Sequence, residues 1–558
     1  MSWSRRAATL AAGVLSGLVA AIVMMLIMVA GRYWLGISPL PESIPDRIAP
    51  TLSIKEFFDL FGKYGGYNGL KKFGIKSGIE GIVAAGVIVG LIYSVIVESR
   101  RSRSWGTWRF GLSKLALVVV GVLILLMWIG TVIFLKPVLH TNYRGLPPSR
   151  ARILNIVGLL VTYSSFAVAL ISSYRLTTKR DPEPRTVPIV EPETGMLMPS
   201  ISGAAAEMPV PVGQPSTRRA LLAAGAGALI AAPTYKLIDT LYNRAAFDYD
   251  GTVYSGPGVQ PLVPNDKFYT VTKNVVDPNV KRSIWGLEIS GLVDHGRTYD
   301  FDDISAMTPV EQETTLMCIS NAVGAGLSSN AVWTGVPMRD LLNASGVGEG
   351  AVEVKLYGAD GYTDTFSIEK ALDPTTMIVY LMNGEPLPQR HGFPARVIVP
   401  GLYGEKNVKW VTGIEVLDHD GKGFYETQGW GPNFVIPTRS DIFSPKRTRR
   451  NGQDSFDKSF SVNQTVELRG RAFAGDRGVK LVEISLDNGA TWQPTTIDYP
   501  GTRLTWVFWS YRWTPRTAGD YVLICRATDQ NGDLQSSEVR GTAPQGATGL
   551  HKVKAHVQ

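Results

Sequence analysis

The chain has 558 residues, 45% hydrophobic and 19% charged, with a formal net charge of +8 at pH 7. The positive excess does not indicate nucleic acid, because the basic residues cluster at the ends of apolar runs: Arg5 and Arg6; Arg100, Arg101 and Arg103; Arg175, Lys179 and Arg180; Arg218 and Arg219. Two cysteines, Cys318 and Cys525, exclude a disulfide scaffold by count and nearly exclude a cysteine-built zinc site.

Four apolar stretches open the chain, roughly Ala12–Ala30, Ile79–Val97, Leu115–Leu135 and Ile153–Ile171. Each has about the 20 residues that cross a hydrocarbon core, and each is too continuously apolar for a buried soluble helix. Residues 1–175 therefore read as a four-helix transmembrane region. The Lys/Arg bias keeps the N-terminus, the 98–103 loop and the segment after Tyr174 in the cytoplasm, which puts the 31–78 and 136–152 loops outside. The 31–78 loop, with mixed charge and aromatics, is expected to be structured at the interface, with no chemistry to name.

Residues 176–217 read as a flexible cytoplasmic linker rich in Pro and small residues. Arg218 and Arg219 then precede an Ala/Gly-rich run, which resembles an internal twin-arginine translocation signal; an ordinary stop-transfer flank is the other reading. A fifth transmembrane helix at 218–245 would deliver residues 246–558 to the extracytoplasmic side of the cell membrane. Residues 246–440 mix short strands (Ile284–Ile289, Val352–Leu356, Arg396–Val399) with a helical run at Met338–Leu342, an α+β domain. The pattern becomes purely β from about 460. Val482, Ile484 and Leu486 alternate, Asp487-Asn488-Gly489 makes a hairpin, and strands come next at Thr505–Trp513 and Tyr521–Ala527. Residues 441–558 thus read as an immunoglobulin-like sandwich.

The chemistry lies between 265 and 430. Cys318 ends an apolar strand just before a small-residue loop, a pattern that a buried core thiol also gives. Downstream, Asn383-Gly384-Glu385-Pro386-Leu387-Pro388, His391-Gly392-Phe393-Pro394-Ala395-Arg396, Pro400-Gly401-Leu402-Tyr403-Gly404 and Asn407-Val408-Lys409-Trp410 place His, Arg and Lys on glycine-rich turns. Such a set can hold an anion and close on a flat polar ligand, with the lone thiolate free to bind a soft metal.

These motifs, in this order and spacing, closely resemble the sulfite oxidase family of molybdopterin enzymes, over residues 250–558. The resemblance implies a Mo-molybdopterin cofactor, with Cys318 as catalytic thiolate ligand to molybdenum. It implies that Asp360, His391, Arg396, Asn407, Val408 and Lys409 hold the pyranopterin and its phosphate. The first cofactor-binding segment falls at Tyr269, Thr270, Thr272, Lys273 and Asn274. The C-terminal sandwich looks like the family's dimerisation domain, and Cys525 falls at a core position in it. The resemblance also implies a small-molecule substrate and an external electron-transfer partner, a cytochrome or quinone-linked protein.

The departures from the family concern substrate. Sulfite-oxidising members place an Arg in the first segment, where this chain has Val271-Thr272-Lys273. They carry further arginines after the cysteine motif, where this chain has Ala322-Val323-Gly324. Trp430 stands for the usual downstream tyrosine. A dianion needs converging fixed charge, so reduction of S-oxides or N-oxides is the expected chemistry, with sulfite dehydrogenation as the alternative. A reading from another class is a non-catalytic surface binding protein. Haem in the helices would need paired axial ligands, and His140 is the only histidine before residue 295, so the helices read as an anchor or docking surface.

Overall fold

The computed structural model describes residues 3–64, 67–101, 114–178, 260–274, 277–450 and 452–558. The linker from 179 onward, the twin-arginine helix and the start of the α+β domain lie outside these. The first six helices are α1 (Trp3–Ala30), α2 (Leu40–Ile48), α3 (Ile54–Lys63), α4 (Tyr67–Arg101), α5 (Lys114–Leu135) and α6 (Pro148–Thr178). Four segments, Thr9–Leu35, Lys72–Val97, Val120–Val138 and Pro148–Thr178, are long and apolar enough to cross a membrane.

The chain divides into two compact units, one of residues 1–28, 79–130 and 159–240, the other of residues 29–78, 131–158 and 241–558. In the first, α1 and α4 meet through glycines. A Cβ on Gly17 would stand 2.1 Å from Gly86 O, and one on Gly90 would stand 2.2 Å from Gly13 O. Only bare backbone allows that approach, the small-residue packing of helices in lipid.

In the second unit the 31–78 segment is helical, carrying α2 and α3. Ser53 starts α3 with a capping box: its Oγ accepts from Glu56 N at 3.3 Å, and Glu56 Oε2 accepts from Ser53 N at 2.8 Å. The 136–152 segment ties this helical stretch to the α+β region. Asn142 Nδ2 donates to Leu35 O at 3.0 Å, and Asn142 N donates to Ala359 O at 3.1 Å. The Arg32 guanidinium lies over the Tyr143 ring, 3.3 Å from its centroid.

The α+β region holds two five-stranded sheets. One runs in the order Arg297–Tyr299, Leu287–Gly291, Val411–Leu417, Glu353–Gly358, Thr363–Ser367, and only the Leu287–Gly291/Val411–Leu417 pair is parallel. The other joins Val310–Met317, Ser328–Pro337, Met377–Met382 and Glu385–Pro386, with Arg396–Ile398 also on Met377–Met382. The expected strand at Ile284–Ile289 begins only at Leu287. Ile284 N and Trp285 N both donate to Lys281 O, at 3.1 and 2.9 Å, and that turn removes them from the sheet.

The C-terminal region is β-rich. A four-stranded sheet contains Arg439–Ser444, Val466–Phe473, Val507–Trp513 and Thr496–Tyr499; a six-stranded one contains His551–Val557, Gly519–Asp529 and Val479–Ser485 among its strands. Ile442, Leu468 and Trp509 from the first share a core with Val482, Ile484, Leu523 and Cys525 from the second. Cys525 is fully buried there. The hairpin expected at Asp487-Asn488-Gly489 forms, with Asn488 at φ 59° and Gly489 at φ 96°.

Candidate functional site

Cys318 leaves the end of the Val310–Met317 strand and starts a tight loop. Its N donates to Leu327 O at 3.0 Å, its carbonyl accepts from Asn321 N at 3.0 Å, and Asn321 Oδ1 accepts from Leu327 N at 2.9 Å. The asparagine three residues after the cysteine therefore closes the loop. Cys318 Sγ lies 3.0 Å from Ser320 Oγ. Burial, reinforced by Glu405, pushes the thiol up to about 11. Coordination to a soft cation would supply the positive charge that burial withholds from a thiolate.

The cationic wall comes from the 389–409 turns. Gly392 sits at φ +116°, and a Cβ there would meet Arg396 Cβ at 2.9 Å, so the turn requires glycine. Burial, with Arg396 and Lys409 nearby, drives His391 down to about 3. The neutral ring places Nε2 2.8 Å from Asn265 O, where it acts as donor. Arg396 donates through Nη1 to His391 O and through Nη2 to Asn407 O, both at 3.1 Å, and its buried Nε has no partner. Burial lowers Arg396 to about 10 and Lys409 to about 8. Lys409 Nζ donates to Arg390 O at 3.2 Å.

Asn407 differs from its expected role. Its Oδ1 accepts from Val399 N at 2.7 Å and its Nδ2 donates to Tyr403 O at 3.1 Å, so its amide is committed to the loop. It serves the wall through its carbonyl, which orients Arg396.

Every expected site residue except Asn274 lines one cavity of about 300 Å³: Tyr269, Thr270, Thr272, Lys273, Cys318, Asp360, His391, Arg396, Asn407, Val408 and Lys409. Asn274 stands behind it, donating through Nδ2 to Asp360 O at 2.8 Å, while its own carbonyl accepts from Thr272 Oγ1 at 2.8 Å. Asp360 Oδ1 accepts from Tyr362 N at 3.0 Å. Lys273, the one charge expected in the first segment, is paired: its Nζ lies 2.5 Å from Asp46 Oδ2.

Three features escaped the sequence. Phe57 of α3 lines the cavity, although nothing in the 31–78 segment signals it. Glu405 also lines it, with both carboxylate oxygens buried and unpartnered. Burial and Asp364 push Glu405 up to about 8, so it is protonated at neutral pH; in sequence, an acid between Gly404 and Lys406 reads as a solvated turn. Third, arginines of the C-terminal region grip the cysteine loop by its carbonyls. Arg439 Nη1 donates to Asn321 O at 2.9 Å, Arg449 Nη2 to Val323 O at 2.6 Å, Arg471 Nη2 to Ala325 O at 2.9 Å, and Arg447 Nη2 to Gly324 O.

A thiol, a buried guanidinium with an unused N–H, a lysine and glycine-rich turns around one cavity fit an anionic, metal-bearing pterin. They place the protein in the class of molybdopterin-binding oxidoreductases. Residues 274–425 match the oxidoreductase molybdopterin binding domain and residues 435–555 match the Mo-co oxidoreductase dimerisation domain. Mitochondrial sulfite oxidase of Drosophila melanogaster is 30% identical over 354 residues, covering 53% of this chain and 60% of that protein. NADH nitrate reductase 2 of Phaseolus vulgaris is 30% identical over 287 residues, covering 42% of this chain and 32% of that protein. The chain thus spans about a third of the length of the plant nitrate reductases it matches. Among solved structures, the sulfane dehydrogenase SoxCD from Paracoccus pantotrophus is 19% identical, with 57% of this chain and 91% of that one covered at a TM-score of 0.47. Residues 274–555 thus carry the molybdopterin-binding and dimerisation domains of a sulfite-oxidase-type molybdenum-cofactor oxidoreductase, and the cofactor is Mo-molybdopterin.

Proposed function

We propose that the chain is a membrane-anchored, extracytoplasmic oxidoreductase that transfers oxygen atoms in the direction of S-oxide or N-oxide reduction. The observation that carries this reading is the charge balance of the cavity beside Cys318. Lys273 is neutralised by Asp46, Glu405 holds its proton, and Phe57, Phe268, Tyr425 and Trp430 supply apolar wall. Arg396 and Lys409 are the cations that would hold the pterin phosphate, which leaves no free fixed cation among the described lining residues for a dianionic substrate.

In this reading Cys318 ligates molybdenum, and His391, Arg396, Val408, Lys409, Asp360 and the 269–274 segment hold the pterin. When bound, the cofactor supplies two-electron oxygen-atom chemistry. Reduction of a neutral oxide consumes two electrons and two protons and yields water besides the reduced product. The protonated Glu405 carboxyl offers an O–H to the oxide oxygen, and the aromatic wall keeps bulk water off it. Electrons would come from an external cytochrome or quinone-linked protein. The dimerisation domain supports a homodimer, which we read as pairing through an immunoglobulin-like sandwich.

The membrane part of the reading rests on the four apolar helices and on Arg218-Arg219. Changing both arginines to lysine should strand the catalytic region in the cytoplasm while the four helices still insert; normal export in a protease-accessibility assay would remove the twin-arginine assignment. A sulfite dehydrogenase is the second reading, favoured by Arg439, Arg447, Arg449 and Arg471 behind the cysteine loop, whose charge reaches the cavity at longer range. Steady-state kinetics on the purified, cofactor-loaded protein separate the two. Turnover of neutral oxides with a reduced viologen donor, and weak sulfite oxidation, are expected. A micromolar Michaelis constant for sulfite, with turnover at or above that for S-oxides, would establish the second reading.

A further inference from the structure

A second cavity, of about 730 Å³, adjoins the first across Lys273, which lines both. Its walls carry Arg47, Lys136, Arg152, Lys273, Lys355 and Lys422 against one acid, Asp46, which is spent on Lys273. Among the described residues none of the other five cations forms a salt bridge. Cations converge without counter-charge only at a cost in mutual repulsion, and an anion among them relieves it.

His140 supplies an independent observation. It lines the same cavity, is 3% exposed, stands edge-on to the Tyr357 ring at 4.9 Å, and has a buried Nε2 with no hydrogen-bond partner. A buried polar atom left unpaired destabilises the fold, and a ligand oxygen at this position would satisfy it. Burial and the surrounding cations hold the ring neutral, with His140 driven down to about 3, so it faces the cavity without adding charge. Part of the lining is apolar: Val132, Val138 and Ile156 come from two of the segments long enough to cross a membrane.

We propose that this cavity binds a phosphate-bearing anion, with Arg152, Lys355 and Lys422 on its oxygens and His140 Nε2 beneath it. The site is independent of what the Cys318 cavity reduces. A phosphate group is shared by two sources, the headgroup of an acidic phospholipid, whose chains the apolar wall would accept, and free phosphate in solution.

Native mass spectrometry of the delipidated full-length protein tests this in two arms, titration with inorganic phosphate and with mixed micelles of phosphatidylglycerol or phosphatidylcholine. The expected result is retention of phosphatidylglycerol over phosphatidylcholine by at least about tenfold, with one charge-assisted contact worth about that much. Arg152→Gln/Lys355→Gln should abolish the preference, His140→Gln should weaken it, and the charge-preserving Arg152→Lys/Lys355→Arg should keep it. Equal lipid binding with saturable phosphate binding, lost in the same neutralised variant, would support the site with free phosphate as its source. Equal lipid binding without phosphate binding, or a preference that survives Arg152→Gln/Lys355→Gln, would overturn the proposal.

Discussion

Lys273 of the 269–274 segment and Asp46 of α2 stand 227 positions apart in the chain, with Nζ and Oδ2 2.5 Å apart. The lysine side chain is 3% exposed and its partner 16%. Removing one member of a buried pair leaves the other charge unpaired, at a cost of about 3–5 kcal/mol. Asp46→Asn should therefore lower thermal stability. It should also release the Lys273 charge to the Cys318 cavity and lower the Michaelis constant or inhibition constant for sulfite, with little change for a neutral S-oxide. Equal effects on charged and neutral ligands would show that the pair is purely structural.

Cys318→Ser keeps the shape of the loop, whose closure rests on backbone groups and on Asn321. It replaces a soft ligand with a poor one. Far-UV circular dichroism and melting should be nearly unchanged, activity should collapse, and the molybdenum X-ray absorption edge should lose one sulfur scatterer. Wild-type turnover in this variant would make the thiol an ordinary core residue.

Phe57 tests whether α3 belongs to the substrate cavity. Phe57→Ala should raise the Michaelis constant for an aryl S-oxide by about fivefold, corresponding to about 1 kcal/mol of lost apolar contact. Turnover number and molybdenum content should stay near wild type. A fall in molybdenum content would place Phe57 in cofactor retention instead.

Asp454 gathers Arg447 at 2.9 Å, Arg449 at 2.6 Å and His551 at 2.7 Å. Burial alone would raise its carboxyl, but those contacts outweigh burial and hold it well below the usual range. A depressed acid contributes stability that is present above its ordinary pKa and lost as pH falls through and below that value. Burial also keeps His551 below its usual value, so acid must charge a buried ring, which acts in the same direction. Asp454→Asn should cost about 3–5 kcal/mol at neutral pH and remove the part of the acid loss that falls below about pH 4, the ordinary aspartate value. Because Arg447 and Arg449 also grip the cysteine loop, molybdenum occupancy should fall as well. An unchanged acid limb in a pH-melting series would remove the assignment.

The residues legible in the sequence are those whose chemistry leaves little choice of side chain or spacing. His391, Arg396 and Lys409 stood out on glycine-rich turns, Cys318 stood out only together with them, and the C-terminal strands did so through strict alternation at Val482, Ile484 and Leu486. The hidden part was made by distance along the chain. Asp46 cannot be matched to Lys273 without the fold, and the arginines at 439–471 carry no mark of the carbonyls they reach at 321–325. Glu405 was hidden for another reason: its protonation comes from burial, which its charged neighbours in sequence disguise. Asn407 lines the cavity, but its amide is consumed by Val399 and Tyr403, a commitment visible only in three dimensions.

That Phe57 lines the Cys318 cavity and Asp46 pairs with Lys273 on its wall bears on how the enzyme is to be isolated. A soluble fragment starting near residue 260 would retain the thiol, the histidine and every cation of the pterin wall, and would pass any test for bound metal. It would nonetheless lack the Phe57 wall of the cavity and the Asp46 partner of Lys273. If the proposed charge balance governs substrate choice, preferences measured on such a fragment should shift towards anions, and the segment between the first two apolar helices would then belong to the specificity of the site.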